Sequence, residues 1–188
     1  MTVERYTTTT VSCRLGSVPK TDRKVTQIDA LSTLGSRTMK PNRSIPRAAV
    51  IPVLIYPDVR EAVSWLCTAF GFVERVQIGE DHRSQLSYGD GALIVGDVRH
   101  ERRPPRPGEV THSIMVRVED AIDHCEHARA HGATILMEPT DFEYGERQYS
   151  AEDLAGHQWT FSQTIADVAP EEWGGISVQH VEQPSTSG

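Results

Sequence analysis

The chain of 188 residues is long enough for one ordinary domain or for two small half-domains that share a core. Its hydrophobic share of 38% and charged share of 24% are typical of a globular protein, and no segment approaches the roughly 18 apolar residues of a membrane span. The net charge of −7 is uneven, because residues 1–45 contain 8 of the 19 basic residues but only 3 of the 26 acidic ones. The other 11 basic and 23 acidic residues form a poor surface for nucleic acid, whose phosphates attract basic proteins.

The first 45 residues have the composition of a disordered leader. They contain the run Thr7–Thr10, many Ser, Lys and Arg residues, and almost no apolar periodicity. An organellar transit peptide is one alternative, and an over-long start with Met39 as the natural first residue is another. The three cysteines have no paired spacing, which favours free thiols in a reducing cytosol. We therefore expect a cytoplasmic protein with its folded domain at residues 46–166.

A first module of one strand, one helix and three strands is predicted for residues 48–98. Residues 49–56 form an apolar strand in which Pro52 suggests an edge or a bulge. Asp58 is placed to cap a helix, and Gly71 is suited to end it. Three short strands separated by glycine turns follow, at residues 72–78, 83–88 and 92–98.

A second module repeats this order over residues 110–166, after a charged, Pro-rich linker at residues 99–109 that cannot continue a sheet. The Tyr56-x-Asp58 start of the first helix recurs 62 residues later as Val118-x-Asp120. The predicted strands of this module lie at residues 110–118, 136–142, 147–151 and 157–164. The repeat predicts an α+β fold of two βαβββ modules, whose sheets form a half-barrel around a cleft.

The last three strands resemble those of a known superfamily. A Tyr-Gly-x-Arg turn at residues 144–147 is followed by an acid-rich turn at 152–156 and by Gly-His-x-Trp-x-Phe at 156–161. This string is similar to the vicinal oxygen chelate superfamily, which includes glyoxalase I, extradiol dioxygenases and bleomycin-resistance proteins. It is most similar to the PhnB-type, glyoxalase-like branch, and the resemblance implies the same fold of paired modules.

Enzymes of this superfamily hold a divalent metal with four ligands from the first and last strands of each module. The resemblance places these positions at Ile51, Val95 or Gly96, Ser113 and Thr160. Ile and Val cannot bind a divalent cation, so at most one ligand survives, and only if a bulge brings His112 into the place of Ser113. We therefore expect no metal in the standard position and no other cofactor, with a divalent metal as the less favoured alternative.

The alternation of the last strand divides its side chains between two faces. His157, Trp159 and Phe161 are expected to pack beneath the helices. Gln158 and Thr160 alternate with them and are expected to line the cleft and contact a ligand.

Further ligand-binding residues are predicted around the cleft. Arg147 offers a guanidinium fork for a carboxylate or phosphate, although the acids around it offer an internal ion pair instead. Tyr149 adds either an amphipathic wall or a rim. His112 and Ser113 lie at the entrance to a strand, where His112 is either a hydrogen-bonding cleft residue or an ordinary surface residue. His112 and Glu138 are the candidate acid and base of a metal-free enzyme.

A cluster of three histidines is predicted on one face of the second helix. His124, His127 and His131 have the spacing i, i+3, i+7, opposite Ile122 and Cys125. This spacing suits a transition metal, but it is more typical of a solvated surface that gains charge below about pH 6.5.

Residues 167–188 are predicted to be an extension and a tail. Pro170 is placed to open a short helical turn, which lays Trp173 against the domain or against a second subunit.

The resemblance and the missing metal ligands together predict a metal-free, glyoxalase-like protein of bleomycin-resistance type. Such a protein binds a small organic ligand in an apolar cleft and is expected to be a homodimer, with no membrane or nucleic-acid partner. The alternatives are a metal-dependent lyase or dioxygenase with rearranged ligands, a metal-free isomerase, and an assembly module without a cleft ligand.

Overall fold

The computed structural model describes residues 40–178, of which residues 41–178 belong to one compact unit. The predicted leader up to residue 39 and the tail from residue 179 lie outside the described residues. The elements in chain order are β1 (Val53–Tyr56), α1 (Val59–Phe70), β2 (Val73–Ile78), β3 (Arg83–Tyr88), β4 (Gly91–Asp97), β5 (Ser113–Arg117), α2 (Ala121–Ala130), β6 (Thr134–Asp141), β7 (Glu146–Glu152), β8 (Gln158–Thr164) and a 3₁₀ helix (Pro170–Trp173).

The two modules form two four-stranded sheets with the same topology. Their strand orders are β1-β4-β3-β2 and β5-β8-β7-β6. In each sheet the first strand pairs in parallel with the last, and the other neighbours are antiparallel. The prediction of an α+β fold with two βαβββ modules is confirmed. β1 begins at Val53, later than predicted, because Pro52 has no N–H group for the ladder and contributes only its carbonyl, which accepts from Ile94 at 2.9 Å.

Each helix begins at the aspartate that the sequence predicts. Asp58 accepts a hydrogen bond from the backbone N–H of Glu61 at 2.8 Å, and Asp120 accepts from Ile122 and Asp123 at 2.9 and 3.0 Å. These bonds satisfy backbone donors that the first turn of a helix leaves unpaired, which stabilises each helix by about 1 kcal/mol.

One hydrophobic core joins both helices to one face of each sheet. Phe70, at the end of α1, packs edge-on against Trp159 and Phe161 of β8, with ring centroids 5.4 and 4.8 Å apart. Tyr149 of β7 stacks on Phe161 at 4.9 Å. Because a fully buried Phe side chain contributes about 1.5–3 kcal/mol, this cluster is a large part of what holds the modules together.

Asp153, in the turn between β7 and β8, connects the two modules through a buried carboxylate. It is 6% exposed. Its Oδ2 accepts from the hydroxyl of Tyr56 at 2.6 Å and from the indole N–H of Trp159 at 3.0 Å. Its Oδ1 accepts from the backbone N–H groups of Ala155 and His157 at 2.9 and 3.0 Å. Four donors therefore stabilise the carboxylate, which compensates for its removal from water.

His157 provides a second polar connection between the modules. As predicted, it is buried with Trp159, at 6% exposure. Its Nε2–H donates to the carbonyl of Ile55 at 2.9 Å, and its ring lies 4.8 Å from that of Tyr56.

His124 lies between the helices and the second sheet. Its Nε2–H donates to the carbonyl of Phe70 at 3.3 Å, and its Nδ1 accepts from the hydroxyl of Tyr149 at 2.5 Å. The prediction of a solvated three-histidine face is therefore wrong for His124, because α2 packs against the end of α1. His127 and His131 are exposed, as predicted.

The half-buried position of His124 predicts a dependence of stability on pH. Burial lowers the pKa of His124, and the charge of His127 lowers it further. The hydrogen bond to the Phe70 carbonyl raises the pKa by less than these two effects lower it. The unfolded chain, with a histidine pKa of about 6.5, then binds the proton more readily. We expect the free energy of unfolding to fall as the pH drops below about 6.5, and to fall less in His124→Gln, measured by urea unfolding at about pH 7.5 and 5.5. The exposed control His131→Gln should behave like the wild type, and a His124→Gln slope equal to the wild-type slope would contradict the explanation.

Within the described residues, the structure contains no helix of the length and apolarity needed to cross a membrane.

Candidate functional site

The second sheet has one face that carries no helix, which we call the cleft face. Trp159 and Phe161 of β8 point into the core, so the residues that alternate with them point the other way. The cleft face consists of Ser113, Met115 and Arg117 of β5, Gln158, Thr160, Ser162 and Thr164 of β8, and Glu146, Gln148 and Ser150 of β7. A concavity of about 470 Å³ lies on this face, between Met115, Arg117, Glu146 and Trp173.

Glu146 is the charged centre of the cleft face. Its carboxylate accepts from the hydroxyl of Ser162 at 2.6 Å and from that of Thr164 at 2.5 Å. Arg117 donates to the Thr164 oxygen at 2.6 Å. Partial burial opposes ionisation of Glu146, but the two hydroxyl donors and Arg117 outweigh it and hold its pKa below the usual range. Glu146 is therefore a carboxylate at neutral pH.

The hydrogen bonds around Glu146 extend across the sheet. Gln148 donates through its side-chain N–H₂ to the hydroxyl of Ser162 at 3.0 Å, and the Tyr144 hydroxyl donates to the amide oxygen of Gln148 at 3.1 Å. Each donor in this series points towards Glu146. The network fixes the rotamers of the cleft face and leaves Glu146 as an acceptor.

Apolar side chains flank the carboxylate. Met115 of β5 is 60% exposed on the cleft face, and Trp173 of the 3₁₀ helix is 40% exposed. Trp173 packs edge-on against Tyr144 at 5.6 Å, and Tyr144 stacks on Phe142 at 5.2 Å. Trp173 therefore packs against its own domain, which is one of the two predicted positions, and contact with a second subunit stays a prediction.

Three of the residues predicted to bind a ligand lie on the cleft face. Ser113 is paired in register with Gln158, and Thr160 lies two residues further along β8. Thr160 shares a hydrogen bond of 3.4 Å with Ser150 of β7. The alternation of β8 was sufficient to place Gln158 and Thr160, whereas Ser113 on β5 was assigned by the resemblance. None of the three lines the concavity around Glu146.

His112 lies outside the concavity around Glu146. It is exposed just before β5 and lines another cavity, of about 530 Å³, beside the linker and His157. Glu138 lies on β6, at the opposite edge of the sheet, and pairs at 2.6 Å with Arg129 of α2. Three strand spacings of about 4.8 Å separate the two edges. The structure therefore does not bring His112 and Glu138 together as an acid and a base.

Tyr149 and Arg147 lie on the helix side of β7, which corrects their predicted place in the cleft. Tyr149 pairs in register with Phe161 and must share its face, and it is 0% exposed. Arg147 is two residues away on the same face and makes a bidentate pair with Asp141, at 2.5 and 2.9 Å. Of the two explanations for Arg147, the internal ion pair is the one observed. This pair lowers the pKa of Asp141.

Comparison with known proteins identifies the family. Residues 45–161 match the model of the Glyoxalase/Bleomycin resistance protein/Dioxygenase superfamily. The chain belongs to this superfamily. A search of the curated proteins gives no match.

Solved structures of other superfamily members agree with this fold. TioX from Micromonospora sp. ML1 is 30% identical, with a TM-score of 0.51 over 63% of this chain and 99% of TioX. A glyoxalase/bleomycin resistance protein/dioxygenase from Nocardioides is 15% identical, with a TM-score of 0.52 over 79% of this chain and 95% of that protein. A family enzyme from Burkholderia phytofirmans PsJN is also 15% identical, with a TM-score of 0.50 over 61% of this chain and 97% of that one.

The side chains at the positions that the resemblance assigns to metal ligands do not fit a divalent cation. Ile51 has no donor atom, Val95 is buried in the core and Gly96 has no side chain. Ser113 and Thr160 supply only neutral hydroxyls, whereas such ions require carboxylates or imidazoles. Among residues 40–178, no group of three His, Cys, Asp or Glu side chains is placed to hold a metal ion.

Proposed function

We propose that the protein binds a small organic ligand on the cleft face, in the manner of bleomycin-resistance proteins. The observation that carries this proposal is the ionised Glu146, which lies beside two exposed apolar side chains, Met115 and Trp173. A ligand that combines a positive charge or an N–H donor with an apolar body satisfies both features.

The dimensions of the concavity support a ligand of this kind. Its volume of about 470 Å³ lies within the roughly 300–1,000 Å³ of typical ligand pockets, which combine apolar walls with few polar groups. Met115 is flexible and polarisable and so adapts to different apolar shapes, and Trp173 offers a flat ring for stacking or for a cation–π contact.

The proposal includes a metal-free site, a homodimer and a cytoplasmic location. The donor set at the superfamily's metal positions supports binding without a metal. A second subunit would supply the opposite wall that the open cleft face lacks, as the likeness to bleomycin-resistance proteins implies. Membership of the narrower PhnB-type branch stays a prediction.

The alternative is an enzyme of the same superfamily, either metal-dependent or metal-free. His112 and Glu138 lie at opposite edges of the second sheet and are too far apart to serve it as an acid and base. We therefore place binding before catalysis.

Neutralising Glu146 is expected to weaken ligand binding. Compounds with a cationic group and an aromatic body are first screened against the full chain by thermal shift, and a binder is titrated by quenching of tryptophan fluorescence. Glu146→Gln should bind it about 10- to 100-fold more weakly, because a charge-assisted hydrogen bond is lost. The titration should be unchanged in EDTA.

Glu143 provides a matched control, since it carries the same charge in the same turn but is exposed outside the concavity. Glu143→Gln should bind like the wild type. Equal affinity of Glu146→Gln and wild type would contradict the site, and loss of binding in EDTA would favour the metal-dependent alternative.

A further inference from the structure

A smaller concavity, of about 240 Å³, lies on the helix-free face of the first sheet. Val53 and Ile55 of β1 and Gly96 of β4 form its floor. We call this concavity the basic cavity, because its walls are His82, Arg83, Arg99, His100 and Arg102, with Asp97 as the one carboxylate in its lining.

The basic residues of the domain are concentrated here. Residues 46–188 contain 11 Lys and Arg against 23 Asp and Glu, so this part of the chain is acidic on average. Three of those 11 line the basic cavity, and Arg103 and Arg106 line the cavity next to it, which Arg102 also borders. Repulsion between so many cations is unfavourable unless an anion compensates for it.

Asp97, the one carboxylate in the lining of the basic cavity, already has partners within the protein. Asp97 accepts from the ring of His82 at 3.0 Å and from Arg99 at 2.6 Å. Arg83 and Arg102 form no ion pair with any residue in the described range 40–178. Their guanidinium groups therefore keep their donors available to a ligand.

A turn that contains one strained residue places both Arg99 and Arg102 in the wall of the basic cavity. The N–H of Arg102 donates to the carbonyl of Arg99 at 3.0 Å. Between them, His100 has a φ of +54°, and it is the one non-glycine residue with positive φ in the described part of the chain. Such a conformation costs about 1 kcal/mol or more for a residue with a Cβ, and it occurs often at functional sites.

The size of the cavity limits what it can hold. Part of the first sheet's helix-free face is covered by the chain itself, since the carbonyls of Arg43 and Ser44 accept from Arg75 and Gln85. The remaining 240 Å³ is smaller than the roughly 300 Å³ at which pockets for drug-sized ligands begin. A small anion fits this space, and the apolar floor strengthens its attraction to the arginines.

We propose that the basic cavity binds an oxyanion, either free phosphate or the phosphate group of a small molecule. Arg83 and Arg102 supply the planar donors that match phosphate oxygens, and Arg99 adds positive charge at the rim. This site lies on the helix-free face of the first module, beside Gly96, a position that the resemblance assigns to a metal ligand. It is argued from other residues than the ligand proposed for the cleft face of the second module.

The test is calorimetric titration of the full chain with inorganic phosphate at constant ionic strength. We expect the wild type to bind phosphate saturably, with a dissociation constant below about 20 mM. In Arg83→Gln/Arg102→Gln the dissociation constant should rise at least about tenfold. The control Arg129→Gln/Arg147→Gln removes the same charge from the second module and should bind like the wild type. A parallel titration with glycerol phosphate distinguishes the two sources, because a site for a phosphate group accepts the ester and a site closed around free phosphate does not.

Three outcomes would overturn the proposal. The first is no binding by the wild type, and the second is unchanged binding by Arg83→Gln/Arg102→Gln. The third is an equal loss in the control, which would indicate general charge attraction. If the double variant does not fold, Arg102→Gln alone, at an exposed linker position, decides by the same criteria.

Discussion

Replacing Asp153 by Ala is expected to lower the free energy of unfolding by roughly 3–5 kcal/mol, the cost of breaking a buried charged network by removing one partner. The substitution leaves the Tyr56 hydroxyl and the Trp159 indole N–H without their acceptor. It also removes the acceptor for two backbone N–H groups that shape the turn before β8. Since each unsatisfied buried donor costs about 1–3 kcal/mol, these losses account for the expected effect.

Urea unfolding of wild type and variant measures this difference directly. Tyr56→Phe is the graded comparison, because it removes one of the four donors and keeps the carboxylate, and we expect a loss of about 1.5–3 kcal/mol. If Asp153→Ala does not fold, Tyr56→Phe still tests the network. A loss below about 1 kcal/mol in both variants would mean that Asp153 does not join the modules.

The contrast between Asp153 and the two capping aspartates shows what sequence reasoning can find. Asp58 and Asp120 act on backbone groups two or three residues away, so the local pattern was sufficient to identify them. Asp153 acts on Tyr56, which is 97 positions away in the chain. From the sequence alone its segment indicated only a turn between strands.

The predictions for the candidate site show the same contrast between local patterns and contacts that are distant in the chain. The alternation of β8 placed Gln158 and Thr160 on the cleft face without knowledge of the neighbouring strands. Tyr149 was misplaced because its face depends on its register with Phe161, which no local pattern on β7 reveals. Glu146 was not recognised as a site residue, since the Arg117–Thr164 contact that completes its surroundings spans 47 positions.

The repeat explains why the fold was easier to predict than the site. Two copies of one βαβββ pattern supply the same periodicity twice, and the core requires only apolar residues of suitable size in it. The site depends on single polar side chains whose partners lie on other strands. The superfamily keeps its fold with many different sites, so family membership leaves the ligand of this chain to be measured.

Gly145 is the other position where one substitution should have a large effect. It has a φ of +79°, and a Cβ at this position would lie 2.3 Å from the carbonyl oxygen of Ala166. The carbonyl of Gly145 also accepts from the N–H groups of Ile165 and Ala166, at 2.8 and 3.1 Å. The turn before β7 therefore fits against the chain that leaves β8 only if residue 145 has no side chain.

We expect Gly145→Ala to lower the free energy of unfolding by about 2–4 kcal/mol, the sum of the positive-φ cost and the cost of a forced backbone shift. The segment leaving β8 carries Trp173 to the cleft face, so its displacement should also separate Trp173 from Tyr144 and change the tryptophan fluorescence. Urea unfolding followed by that fluorescence measures both effects.

Gly89 offers a matched control, because it has a φ of +51° but a Cβ there would meet no atom within 4 Å. Gly89→Ala should lose only the conformational term, about 1 kcal/mol. The difference between the two variants then isolates the contact with Ala166. If both variants lose the same free energy of unfolding, the segment after β8 can move away from residue 145 without cost. The position of Trp173 at the cleft face would then not depend on the absence of a side chain at Gly145.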